Sequence, residues 1–212
     1  MKNKKHNTNI ADLYFTQKRW TLIDTVAVAM ITVGVFMFAG MNGGGPLGIP
    51  IAAIGIIIEI FSSNSKVSES DYDNELNKLI SANYIETHRN INDEYDHIIK
   101  KITLCNYDIS EAPIIVGKNN KVRSKKYCIA TFKFKEDTCN IELNRINVPE
   151  KNVESSNYSL TLPCSNEIVE KQSAVPAKKC YMLKIEGLPE IPIDVNSTDT
   201  DDILSRLNAE SN

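Results

Sequence analysis

From Thr21 to Phe61 the chain is almost uninterruptedly apolar, and the block is split near its middle by Met41-Asn42-Gly43-Gly44-Gly45 followed by Pro46. A helix needs roughly 20 apolar residues, at about 1.5 Å each, to cross a hydrocarbon core of about 30 Å. The first segment, TLIDTVAVAMITVGVFMFAG, meets that length. The second, PLGIPIAAIGIIIEIF, is short and must thin the bilayer or lean on its partner. One crossing would use about half of the block, and a triple glycine before a proline ends a helix. The expectation is therefore a transmembrane helical hairpin over residues 21–61. A cleaved secretory signal fits less well, because twenty mostly polar residues precede the apolar stretch and no small-residue cleavage site follows it.

Orientation follows from the cations. Lys2, Lys4, Lys5, Lys18 and Arg19 precede the first segment, the hinge is uncharged, and Lys66 follows the second. Positive residues stay on the cytoplasmic side, which sets both termini in the cytoplasm of a cell whose cytoplasmic (inner) membrane holds the hairpin. Tyr14, Phe15 and Trp20 occupy the place of an interfacial aromatic anchor. For the tail 1–20 two readings stand: a helix lying on the inner leaflet through Ile10, Leu13 and Tyr14, or a basic tail without structure.

Two acids interrupt the block, Asp24 early in the first segment and Glu59 late in the second. Folding back brings them to one depth. Gly48, Ala52, Gly55 and Glu59 share one helical face, a small-residue stripe that lets a neighbouring backbone approach closely. These five residues are the candidate membrane interface, with an oligomer contact or ion path on one reading and carboxylates that merely end the spans on the other.

Beyond the block lie all but three of the acids and all but five of the Lys and Arg, a net negative remainder that gives nucleic acid no footprint. SSNSKVSES, residues 62–70, reads as a flexible linker. Leu76, Ile80, Tyr84, Ile91, Tyr95, Ile98 and Ile102 then recur at helical spacing, so a helical stalk of one long helix or two shorter ones is expected over 71–104, docked on the following domain or broken near residues 88–92, where His88, Asn90 and Asn92 fall. Afterwards the period becomes two. Strands are expected at Ile114–Val116, at Tyr127–Phe134 with Cys128, Ala130, Phe132 and Phe134 on one face, and around Cys139–Leu143, Tyr158–Leu162, Glu167–Lys171, Lys179–Glu186 and Glu190–Val195. Gly187-Leu188-Pro189 marks a tight hairpin between the last two. Ser197 or Thr198 caps a final helix with Ile203, Leu204 and Leu207 inward. The fold class is a membrane hairpin plus an α+β domain over 105–212, a β-sandwich or barrel of about seven strands closed by the C-terminal helix.

The order of helix, strand, basic turn GKNNKVRSKKY, paired strands YCIATFKF and TCNIELNR, then YSLTLPCSNEIVEKQ, CYMLKIEGLPEIPIDV and a closing helix resembles bacterial pleckstrin-homology-like domains over roughly residues 93–208. The resemblance implies a binding or scaffolding module, since such folds hold lipids, peptides or partner proteins and are not generally enzymes. In the eukaryotic relatives a basic strand connection like this one binds phosphoinositide headgroups. That connection holds Lys118, Lys121, Arg123, Lys125 and Lys126, the candidate site for an anionic ligand or surface; the alternative is a solvated turn.

Cys105, Cys128, Cys139, Cys164 and Cys180 form an odd set without CxxC, as expected of free thiols in a reducing compartment. His6, His88 and His97 offer no metal-ligand spacing, and no phosphate loop, dinucleotide fingerprint, GxSxG or HExxH occurs, so no cofactor, metal or catalysis is expected. The functional expectation is a membrane-anchored, non-enzymatic scaffold or sensor whose partners are the bilayer and a protein partner, an anionic ligand or a second copy of the chain. Two alternatives stand beside it. The chain resembles in outline the two-helix membrane effectors of bacterial antiphage signalling, and an immunity role against a membrane-acting toxin fits the same layout.

Overall fold

The apolar block folds back on itself as two antiparallel helices. In the computed structural model the described residues are 9–17, 20–39, 47–64, 66–83, 85, 97–110, 113–117, 120–174 and 178–209. Among them are five helices and nine strands, an α+β chain that divides into two compact units, residues 1–72 and 73–212.

In the first unit a short helix α1 (Ile10–Thr16) precedes α2 (Leu22–Ala39) and α3 (Gly48–Asn64). Among the described residues only α2 is long and apolar enough to cross a membrane unaided; α3 is apolar but shorter. The two pack backbone to backbone because small residues face each other. A Cβ on Gly34 would lie 2.5 Å from the Ala52 nitrogen, and one on Gly55 would lie 2.8 Å from the Ala27 carbonyl oxygen. No L side chain fits such an approach, so glycine at these positions sets the interhelical distance. Of the large apolar side chains, Leu22, Val26, Phe36, Ile49, Ile57 and Phe61 point away from the partner helix and stay exposed. The glycine hinge lies outside the described residues.

The described part of the tail packs on residues 67 and 72 of the same unit. Asn9 caps α1 by accepting from the Ala11 and Asp12 amides. Its inward residue Tyr14 stacks on Tyr72 at 4.9 Å, with Phe15 edge-on to Tyr72 at 5.3 Å, while Ile10 and Leu13 remain exposed. The Gln17 side chain closes a two-way bond with Val67, donating to its carbonyl at 2.7 Å and accepting from its amide at 2.8 Å.

Helix α4 (Glu69–Ala82) opens on a reciprocal cap, in which Ser68 and Asp71 exchange side-chain and backbone bonds, and the boundary between the units falls inside it. Here the structure corrects the expected stalk. Helix is described only to Ala82, and Lys100–Tyr107 is strand β1, antiparallel to β4 (Lys126–Phe134) with Ile102 opposite Phe132. Ile98 and Ile102 are spaced for a helix, but Ile102 and Leu104 also alternate with Lys101 and Thr103, and pairing with a distant strand decides between the two periods. The expected break near residues 88–92, with Tyr84, Ile91 and Tyr95, lies outside the described residues. The basic turn is likewise corrected in part: Val122–Ser124 forms β3, paired with β2 (Ile114–Val116).

A four-stranded antiparallel sheet runs β1-β4-β5-β6, with β5 at Thr138–Asn147 and β6 at Asn152–Thr161. A three-stranded sheet runs β7-β8-β9, at Asn166–Lys171, Cys180–Ile185 and Ile191–Ile193, and Gly187 takes φ +78° in the β8–β9 hairpin. One core joins Ile102, Phe132, Phe134, Ile141 and Leu143 of the first sheet to Leu183, Ile185 and Ile191 of the second. Helix α5 (Thr198–Leu207), capped by Ser197, adds Ile203 and Leu207 to it, and its Arg206 guanidinium lies 5.7 Å from the Phe134 ring centre.

Candidate functional site

The expected basic cluster is dispersed by the fold. Strand β3 turns Arg123 inward, where 4% of its side chain is exposed, and both ends of its guanidinium are engaged by Asp73 of α4 at 2.8 Å. A fork-on-fork pair of this kind satisfies a buried cation, so Arg123 is held within the fold. The same bonds hold the Asp73 carboxyl below the usual aspartate range. Lys125 is half-buried and its carbonyl accepts from the Val148 amide; exposed Lys126 lines a separate cavity of about 270 Å³ with Asp108, Arg145 and Glu190. Lys118 lies outside the described residues.

Of the cluster's described residues only Lys121 enters the largest groove described, of about 800 Å³. Its other cations come from the far end of the domain: Lys178 and Lys179 lead into β8, which then places Tyr181 in the wall beside Tyr107 from the end of β1. Asp194 is the acid on its lining. Lys178 is steered by donating to the Asn120 carbonyl at 2.9 Å, Lys121 lies 3.4 Å from Asp73, and Lys179 lies 3.0 Å from Glu170, whose hydrogen bond raises the lysine's pKa. The lysines sit on mostly exposed stems, and the tyrosines supply flat faces to the same wall. The sequence signal for Lys178 and Lys179 was a short basic pair before a strand, which carries no position until β8 is paired with β9.

The membrane-interface candidates are brought together within the first unit. Gly48, Ala52 and Gly55 of α3 meet Gly34, Phe38, Ala27 and Ile31 of α2, so the stripe is occupied by the chain's own helix. Ala27 and Gly34, one heptad apart, are the complementary face that the sequence reading missed. Asp24 is fully buried and closes a cap with Thr21; it also accepts from Ser62 Oγ at 2.5 Å and pairs with Lys66 at 2.9 Å. It thereby ties the start of α2 to the end of α3. Glu59 is half-buried, and its Oε2 is buried without a hydrogen-bond partner among the described residues.

None of the five cysteines forms a disulfide. Burial pushes the Cys128 and Cys139 thiols up to about 12, so both stay protonated at neutral pH and pack as small apolar groups. No protein-family model, curated protein or solved structure matches the chain.

Proposed function

We infer that the protein is a membrane-anchored, non-enzymatic sensor or scaffold: the α2–α3 pair sits in a bilayer, and the β-rich unit binds an anionic ligand in the groove of Lys121, Lys178 and Lys179. The observation that carries this reading is the inverted arrangement of the helix pair. Its contact surface is glycine and alanine and its outer surface is large and apolar, an arrangement with a favourable solvent in lipid and none in water. A pleckstrin-homology-like architecture for the second unit, with both termini cytoplasmic, belongs to the same proposal and rests on the order of strands and the closing helix.

The groove is tested on phosphocellulose, a phosphate-bearing surface, with the full chain in neutral detergent. The triple variant Lys121→Gln, Lys178→Gln, Lys179→Gln should elute at clearly lower salt than the parent, while the equally charged triple Lys126→Gln, Lys151→Gln, Lys184→Gln, outside the groove, should shift elution little. Equal shifts for the two would show that net charge alone sets retention, and the groove would lose its role.

A further inference from the structure

The four-stranded and three-stranded sheets have four edges between them, and three of these are blunted. Strand β1 is met by α5, through the Lys100–Asp202 ion pair, and by β9, through Asn106 donating to the Pro192 carbonyl at 3.1 Å. Strand β9 is three residues long and carries Pro192. Strand β7 is six residues long, with Glu167, Glu170 and Lys171 along it. These are the ordinary devices that stop a sheet from adding strands. Among the described residues strand β6 has none of them: NVESSNYSLT is ten residues long, pairs with β5 at every position without a bulge, and has neither proline nor lysine and only Glu154 as a charge. Most of its residues are exposed, and Tyr158 and Leu160 are half-buried where they pack against the core.

The register fixes which backbone groups face outward. The Leu162 amide donates to the Asp137 carbonyl, a pair that continues the β5–β6 ladder, so the even-numbered residues of β6 turn their N–H and C=O groups toward β5. Val153, Ser155, Asn157 and Ser159 therefore present theirs to the outside.

We propose that the β6 edge is a homotypic interface, on which β6 of a second copy pairs antiparallel about a two-fold axis through Ser156, joining two four-stranded sheets into one of eight. Outward groups must meet outward groups, and this axis does so by setting Ser155 against Asn157 and Val153 against Ser159. It also sets Glu154 opposite the Tyr158 phenol, which can donate to the carboxylate, so the strand's one charge never meets its own copy. Moving the axis to Asn157 sets Glu154 against Leu160. The occupant is a second copy because the strand is self-complementary in this register, and because the added strand flanks Tyr158 and Leu160, the half-exposed apolar residues beside the edge.

The test uses the full chain in neutral detergent, with mass read by light scattering. The parent should be a dimer. Ser156→Lys and Ser156→Glu each place like charges face to face on the axis and should each give monomers, and mixing the two should restore a dimer containing one of each. Asn157→Pro removes an outward N–H and leaves the β5 ladder intact; it should also give monomers, which still unfold in a cooperative thermal transition. Ser156→Cys should cross-link copies under mild oxidation, and Ser159→Cys, which faces Val153, should not. A monomeric parent, a Ser156→Lys variant that stays dimeric, a lysine–glutamate mixture that does not pair, or a foreign protein on the β6 edge of a monomeric parent would each overturn the proposal.

Discussion

The two units solve opposite packing problems with the same residue types. In the helix pair the small residues are inside and the large apolar ones outside; in the β unit Phe132, Phe134, Ile141 and Leu183 are inside and lysine, glutamate and serine outside. The difference fits two solvents, water for the β unit and, on the proposed function, lipid for the helix pair. Water drives large side chains together, so a water-facing unit gathers them. On the proposed membrane reading the helices lie among lipid tails, which are as apolar as leucine and give no such drive, and close backbone contact takes its place.

The comparison is broken most forcefully by the same truncation in both places. Phe132→Ala empties a fully buried site in the β core and should cost about 3–5 kcal/mol in denaturant unfolding of that unit. Phe36→Ala removes a ring that is 69% exposed on α2 and should leave the same transition within about 0.5 kcal/mol. Equal costs would mean that the two rings face the same environment.

A smaller effect sharpens the contrast through charge. Arg123→Met leaves Asp73 without its main partner and should destabilise the β unit by about 1–3 kcal/mol, the cost of an unpaired, partly buried hydrogen-bonding group. Because the Asp73 carboxyl is held below its ordinary range, its contribution is complete above pH of about 4 and is lost as pH falls through the lowered folded value. Acid titration of the parent should therefore show a loss that is reduced in Asp73→Asn; superimposable acid limbs would remove the pair from the account. Smallest of all is the exposed Lys184–Glu167 pair across β7 and β8, 2.7 Å apart with both side chains more than half exposed. Lys184→Gln should change stability by no more than about 1 kcal/mol, and salt should erase the difference.

How far the sequence speaks depends on the range of the interaction. Strand β4 was legible because Cys128, Ala130, Phe132 and Phe134 alternate, and α5 because Ser197 caps a helix whose Ile203 and Leu207 share a face. The Gly48–Ala52–Gly55 stripe was legible for the same local reason. Strand β1 was not, since its residues satisfy helical and extended spacing alike and only β4 decides between them. The basic cluster failed as a unit because charge along the chain does not reveal which cation the fold turns inward. Arg123 found Asp73 on α4, and the groove took its other lysines from the approach to β8.

The claim on which the rest depends is that the inverted helix pair resides in lipid. Membranes from cells expressing the full chain, washed in alkaline carbonate and floated on a density gradient, should retain it and release it only to detergent. Release by carbonate alone, or recovery of the chain from the soluble fraction, would contradict the account.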